Sequence, residues 1–361
     1  MITAADEYLI HQTPHSFDTV FTSDRNFYDR YFFNGYRRDG SAYFALAMGV
    51  YPNLGVIDAA FSVIVDGRHQ RFVRASAALG PDRMQTKVGP ISVQILEPLR
   101  RVRIRVGRNA WGIRADLVLA ARSLPAEEPH FLRRDRAAVV NDYTRYTQHC
   151  EWSGSLSLDG QSFDVGKEGW WGSRDRSWGV RGVGHRAQGR PPEGLPQFFW
   201  TWAPLNFDDV CTLFTVSEYE DGTRWHEDAA VLKPFPEAAI TRYRPEHALT
   251  FQKGTRRVSG ATLTLNPERG PETVIELRPL YHFLMQAIGY GHPSWGHGMW
   301  VGPDEVDGGE LDLESENPMQ NLHVQSIVLA TAGRREGVGI FEHIILGPHR
   351  KYGFKGLLDP A

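Results

Sequence analysis

Cysteine is nearly absent: Cys150 and Cys211 are the two in 361 residues. They lie far apart and match no zinc or Cys-x-x-Cys spacing, so neither a disulfide framework nor a thiolate metal site is indicated. A reducing, cytoplasmic setting with two buried thiols is the expectation. Charge of one sign is also missing. Forty basic against 43 acidic side chains leave a net charge of −3, and no global basic field exists to hold a nucleic-acid backbone. No uninterrupted apolar run approaches the ~20 residues of a membrane helix. The first residues lack the basic start and apolar stretch of a secretory signal. A P-loop, a strand-to-helix Gly-x-Gly-x-x-Gly turn, His-Glu-x-x-His and His-x-His are all absent, so no nucleotide, dinucleotide or metal cofactor is expected. Trp152-Ser153-Gly154-Ser155 approaches a nucleophile elbow but lacks its pattern and its helix.

Helical periodicity is scarce too. Only 135–148 reads as a candidate helix, while 280–290 is readable either as a helix or as a buried strand. The rest is strand-like. The apolar runs 41–51 and 56–65 are each followed by a turn, the second at Asp66-Gly67, a hairpin signal. Arg101-Val102-Arg103-Ile104-Arg105-Val106 alternates strictly and predicts a strand with arginines on one face. Asp159-Gly160 and Asp221-Gly222 mark further turns. With 36 glycines, 22 prolines and 42 aromatic residues (10 Trp, 13 Tyr, 19 Phe), the pattern predicts an all-β protein of barrels or sandwiches. The acidic stretch 304–316, with Glu310, Asp312, Glu314 and Glu316 on one face, reads as a solvated edge hairpin turning at Gly308-Gly309.

The densest patch of unusual residues is 166–190. Lys167, Arg174, Arg176, Arg181, Arg186 and Arg190 surround Asp175, among Trp170, Trp171 and Trp178. Flanking cations lower a carboxyl pKa and burial among aromatics raises it. Six basic residues in so short a stretch predict an ion pair to Asp175, because an uncompensated buried charge is costly. The glycines at 166, 169, 172, 179, 182 and 184 suggest a tight, irregular path. An Asp–Arg pair can equally lock a turn, with Trp178 as a core anchor.

Within this patch, Gly172-Ser173-Arg174-Asp175-Arg176-Ser177-Trp178-Gly179 resembles the Asp-His-x-Trp-Gly signature of the AttH-like and carotenoid 1,2-hydratase group. That group comprises tandem lipocalin-like β-barrels, with kievitone hydratase and lipocalin-type Diels–Alderases among its relatives. The Gly289–Trp300 stretch looks like a feature of its bacterial branch. The resemblance implies two lipocalin-like domains, 1–165 and 166–361, and a motif carboxyl, Asp175, that protonates an alkene. Ser173 stands where a Tyr is common, Arg176 where His is, and Ser177 where Asn is frequent.

Two histidines join Asp175 as candidates for proton transfer, His149 and His297, since the imidazole pKa near 6.5 suits that role. Substrate-binding candidates are Trp170, Trp171, Arg174, Trp178, Trp200, Trp202, Tyr290, His292, Trp295 and Trp300, where aromatic and glycine residues concentrate. Together they suggest a cofactor-independent hydro-lyase or isomerase acting on a hydrophobic molecule such as a terpenoid, steroid or aromatic compound. A non-catalytic carrier of such a ligand is the alternative, and a ligand-free scaffold a third. No nucleic-acid partner and no membrane span are expected, and a homo-oligomer is compatible with the sequence.

Overall fold

A computed structural model of the protein describes residues 1–185 and 195–361. The described residues form two large antiparallel sheets, each curled into a lipocalin-like barrel. The first begins with the meander Phe27–Arg37, Tyr43–Tyr51, Val56–Ile64 and His69–Ala78. Its other half runs through Trp170–Arg181, the long strand Ala138–Leu158, Ile113–Ala121, Arg101–Val106 and Ile91–Glu97. The second sheet closes on itself, because Arg224–Leu232 pairs with both Cys211–Glu218 and Ile240–Phe251. The Asp66, Asp159 and Asp221 turns fall between strands as the sequence suggests. Arg101–Val106 alternates between exposed or half-exposed arginines and buried aliphatics.

Four local expectations change. The candidate helix at 135–148 is mostly strand, within Ala138–Leu158. Its Val139, Val140, Tyr143, Thr144, Tyr146 and Thr147 are β-branched or aromatic and pack on a pleated surface. Residues 280–290 divide, with strand to Leu284 and then a 3₁₀ turn, Met285–Ile288. In the acidic stretch, Gly308 and Gly309 lie mid-strand. Asp304–Asp312 is an edge strand of the first sheet beside His69–Ala78, where Arg68, Arg71 and Arg74 meet Asp312, Glu310 and Asp307.

The fourth concerns 170–181, which is a regular strand rather than an irregular path. Its glycines answer to close backbone approach. A Cβ on Gly172 would stand 2.1 Å from the Asn34 carbonyl oxygen, and one on Gly179 (φ +135°) 2.3 Å from that of Asp142. This strand hydrogen-bonds to Phe27–Arg37 on one side and Ala138–Leu158 on the other. The boundary expected at 165/166 therefore falls before the last central strand of the first sheet. The second sheet starts with Phe198–Trp202, and the chain later returns to the first sheet with Asp304–Asp312.

Each sheet encloses its own apolar core, the first around Phe44, Trp152 and Trp170, the second around Phe199, Phe214 and Phe341. A third core lies between the sheets. Phe32, Tyr36, Tyr43 and Trp171 of the first pack there on Trp202, Leu213, Ile327 and Ile340 of the second. Buried polar groups bridge the same junction. Asn206 Nδ2 donates to Tyr36 Oη (2.7 Å), His149 Nε2 to the Thr212 carbonyl (3.0 Å) and Trp202 Nε1 to Thr147 Oγ1 (3.2 Å). Polar groups sealed from water need such partners, so the junction has a fixed register. Among the described residues no helix is long and apolar enough to cross a membrane.

Candidate functional site

Three neighbouring strands of the first sheet build one wall of a cavity between the barrels. Their register places Phe32, Asp175 and Thr147 side by side, and likewise Arg30, Ser177 and Arg145. Successive side chains on a strand point to opposite faces. Arg30, Phe32, Tyr143, Arg145, Asp175 and Ser177 therefore share the face turned to the second barrel, while Arg174, Arg176 and Trp178 turn away. The opposite wall comes from Phe198, Trp200, Trp225, His323, Glu342 and Ile344, and Tyr290 covers one side. The cavity measures about 240 Å³. Small-molecule sites span roughly 300–1,000 Å³, so this one suits a small ligand.

Asp175 is the distinctive group. Among the described residues no guanidinium or ammonium lies within ion-pair distance of its carboxyl, contrary to the expected pairing. Strand alternation is the reason. Arg174 Nε and Nη2 donate to Gln148 Oε1 on the far face (2.9 and 2.6 Å), and Arg176 pairs with Asp29 there. Arg186 and Arg190 lie outside the described residues. Burial pushes the Asp175 carboxyl up to about 6; Arg145 opposes this, Glu342 and Glu128 add to it, and Arg181 opposes it more weakly. Arg145 is held by another acid. Its Nε and Nη2 donate to Glu128 (2.8 and 2.5 Å), and Thr147 Oγ1 donates to the same carboxylate (2.8 Å).

On the facing wall, Glu342 accepts from Gln325 Nε2 (2.6 Å) and lies 2.6 Å from His323 Nε2. The carboxylate orients the imidazole and leaves Nδ1 without a protein partner among the described residues. Tyr290 packs edge-on against His323, with ring centres 4.8 Å apart. The Arg30 guanidinium lies along the His297 ring, with Nη1 2.7 Å from Nδ1 and Nη2 2.7 Å from Nε2, and Nε2 is also 3.0 Å from the Ile288 carbonyl oxygen. Burial, reinforced by Arg30, holds His297 well below its usual pKa and so neutral.

Of the sequence candidates, the cavity wall brings together Asp175, Trp200 and Tyr290. His297 stands behind Arg30 as a positioning group. The others lie elsewhere. His149 is sealed at the barrel junction, where burial lowers its pKa to about 3. Trp170 is in the first core and Trp202 in the middle one. Trp171 lies under the guanidinium groups of Arg38 and Arg122. His292 accepts from the Trp295 backbone N–H (3.0 Å), and Trp295 stacks near Arg74 beside a separate void of about 20 Å³. Trp178 and Trp300 are 39% and 51% exposed. Sequence reasoning missed Arg30, Phe32, Tyr143, Arg145, Ser177, Trp225, Glu342 and Ile344; Arg181 figured only as a basic neighbour of Asp175, and His323 only as one of a late cluster of histidines.

Fold and site together define a tandem lipocalin-like barrel pair with a polar-edged aromatic cavity at the junction. The chain belongs to a family of unknown function, DUF8625, whose profile matches residues 2–355. No curated protein matches the sequence. Among solved structures, it is similar to a Nitrosomonas europaea protein named for AttH, at 15% identity and a TM-score of 0.56, over 90% of this chain and 96% of that one. It is also similar to CghA, solved with Sch210972, at 14% identity and a TM-score of 0.52, over 89% of each chain. Kievitone hydratase from Nectria haematococca follows at 11% identity and a TM-score of 0.47, over 88% of each chain. The likenesses to the AttH-named protein and to CghA show a shared fold.

Proposed function

We propose that the inter-barrel cavity is the active site of a cofactor-independent hydro-lyase or isomerase for a small, largely apolar molecule. The observation that carries this reading is the Asp175 carboxyl on an aromatic wall, without a cation partner among the described residues and with its pKa pushed up to about 6. A carboxyl of that pKa is protonated in a usable fraction near neutrality and can give up the proton in the transition state. His323, held by Glu342, supplies the second proton-transfer group through Nδ1. An acid on one wall and a base on the other fit addition or removal of water, or movement of a double bond.

The charges refine the substrate class. Arg30 and Arg181 line the cavity without a carboxylate partner among the described residues. Positioned guanidinium groups stabilise developing negative charge and disfavour an isolated carbocation. A substrate whose double bond is conjugated to a carbonyl fits better than an unactivated alkene, because its negative charge would collect on oxygen beside Arg30 or Arg181. Trp200, Trp225, Phe32 and Tyr143 would hold its apolar body.

The test begins with mass spectrometry of molecules extracted from the purified protein and from Asp175→Asn. Turnover of the identified compound and its carbonyl-conjugated analogues is then measured. Positioned proton transfer contributes about 10²–10⁴-fold in rate, so Asp175→Asn should lose that much turnover while retaining the bound compound. Full activity in Asp175→Asn would remove Asp175 from the mechanism. Binding and release of the compound unchanged by the wild-type protein would make the cavity a carrier site.

A further inference from the structure

The strands that present Asp175 to the junction present different residues to the interior of the first barrel. There a second cavity, of about 320 Å³, opens between Tyr31, Met48, Val50, Val93 and Ile95. Period-2 alternation sorts the two sites: Arg30, Phe32 and Asp175 face the junction, while Asp29, Tyr31 and Arg176 face the second cavity. We propose that this second cavity binds an amphipathic organic monoanion, such as a medium-chain carboxylate, independently of the junction site.

Two features support that ligand class. The floor is aliphatic and thioether, and Met48 and Val93 are buried, so it accepts a hydrocarbon body and offers it little hydrogen bonding. The polar groups carry one net positive charge. Arg176 is neutralised by Asp29 and lies over the Tyr31 ring, 4.5 Å from its centre. Arg83 is different. Its Nε donates to the Phe17 carbonyl (2.9 Å) and its guanidinium stacks on the Phe17 ring at 4.2 Å, but among the described residues no carboxylate pairs with it. Asp18 acts on Arg83 only at a distance and is itself paired with the N-terminal ammonium, so the half-buried guanidinium hydrogen-bonds to a neutral carbonyl alone and has room for an anion, and its planar fork suits a carboxylate.

The probes are decanoate and 1-decanol, which share a chain and differ in charge. Titration of protein labelled with ¹³C at the methionine methyls locates binding, because Met48 and Met84 line this cavity and no methionine lines the junction cavity. Decanoate should shift the Met48 and Met84 signals saturably, with at least tenfold higher affinity than decanol. Arg83→Gln should bring decanoate down to the affinity of decanol. Ile95→Trp, at a rim position 39% exposed, should fill the opening and abolish the response. The proposal fails if decanoate leaves both signals unmoved, if decanol binds as tightly, or if Ile95→Trp responds like the wild type. Should Arg83→Gln not fold, the contrast between decanoate and decanol in the unaltered protein still decides.

Discussion

Two carboxylates flank Arg145, and their surroundings drive them apart. Around Glu128 the acid is boxed in by a bidentate Arg145, by Thr147 and by His226 at 3.5 Å. Burial alone would raise its pKa, but these partners bring it down to about 2. Around Asp175 the same arginine is already engaged, no other cation among the described residues comes within ion-pair distance, and burial wins. Burial of an acid thus decides nothing by itself, and the number of donors within reach decides the sign. On the function proposed above, the Glu128 region holds structure together, whereas Asp175 is the group that keeps a proton available.

The contrast can be broken most strongly from the paired side. Glu128→Gln leaves Arg145 buried without its hydrogen-bonded counter-charge, a change that typically destabilises by about 3–5 kcal/mol. Urea denaturation at pH 7 should show a loss of that size. The released Arg145 should also interact more strongly with Asp175 and lower its pKa. A loss under ~1 kcal/mol would mean that the pair contributes no more than a surface ion pair.

A smaller effect comes from the unpaired side, through pH. A carboxyl whose folded pKa lies above its unfolded value binds more protons in the native state. Stability therefore falls as pH rises from the unfolded pKa near 4 through about 6, and stays lower above that. The difference is bounded at roughly 3 kcal/mol. Asp58 and Asp228 are also pushed up to about 6, chiefly by burial, and contribute with the same sign. The informative quantity is thus the wild type minus Asp175→Asn. The variant should gain stability relative to the wild type between pH 4 and 7 and remain near it below pH 4. A difference that stays flat across that range would place Asp175 among ordinary solvated carboxylates.

How much of this was legible beforehand follows from the geometry. Turn dipeptides such as Asp66-Gly67 and the alternation at 101–106 are local, and they specified an all-β fold. The motif around Asp175 marked one member of the site. Its partners were not legible, because Arg30, Arg145, His323 and Glu342 come from distant strands of two sheets and meet only when the barrels pack. One available signal went unused. Reading Arg174–Trp178 as a strand would have put Asp175 and Ser177 on one face and Arg174, Arg176 and Trp178 on the other. The glycines masked that reading, because Gly172 and Gly179 suggest a turn yet serve close strand packing.

That alternation yields the smallest of the expected effects. Trp178 is 39% exposed, faces away from the Asp175 cavity, and has the Arg176 guanidinium 5.7 Å from its ring centre. Trp178→Phe retains an apolar ring and a cation–π surface while removing part of an already wet side chain. At about 25 cal/mol per Å² of apolar area, the loss should be under ~1 kcal/mol, read as a small shift in the denaturation midpoint. Ligand retention and turnover at the junction cavity should match the wild type, unlike in Asp175→Asn, although the two residues are only three apart. A Trp178→Phe protein that folds normally but loses the cavity ligand would show that the strand's two faces are coupled, and the division between a structural and a reactive face would have to be abandoned.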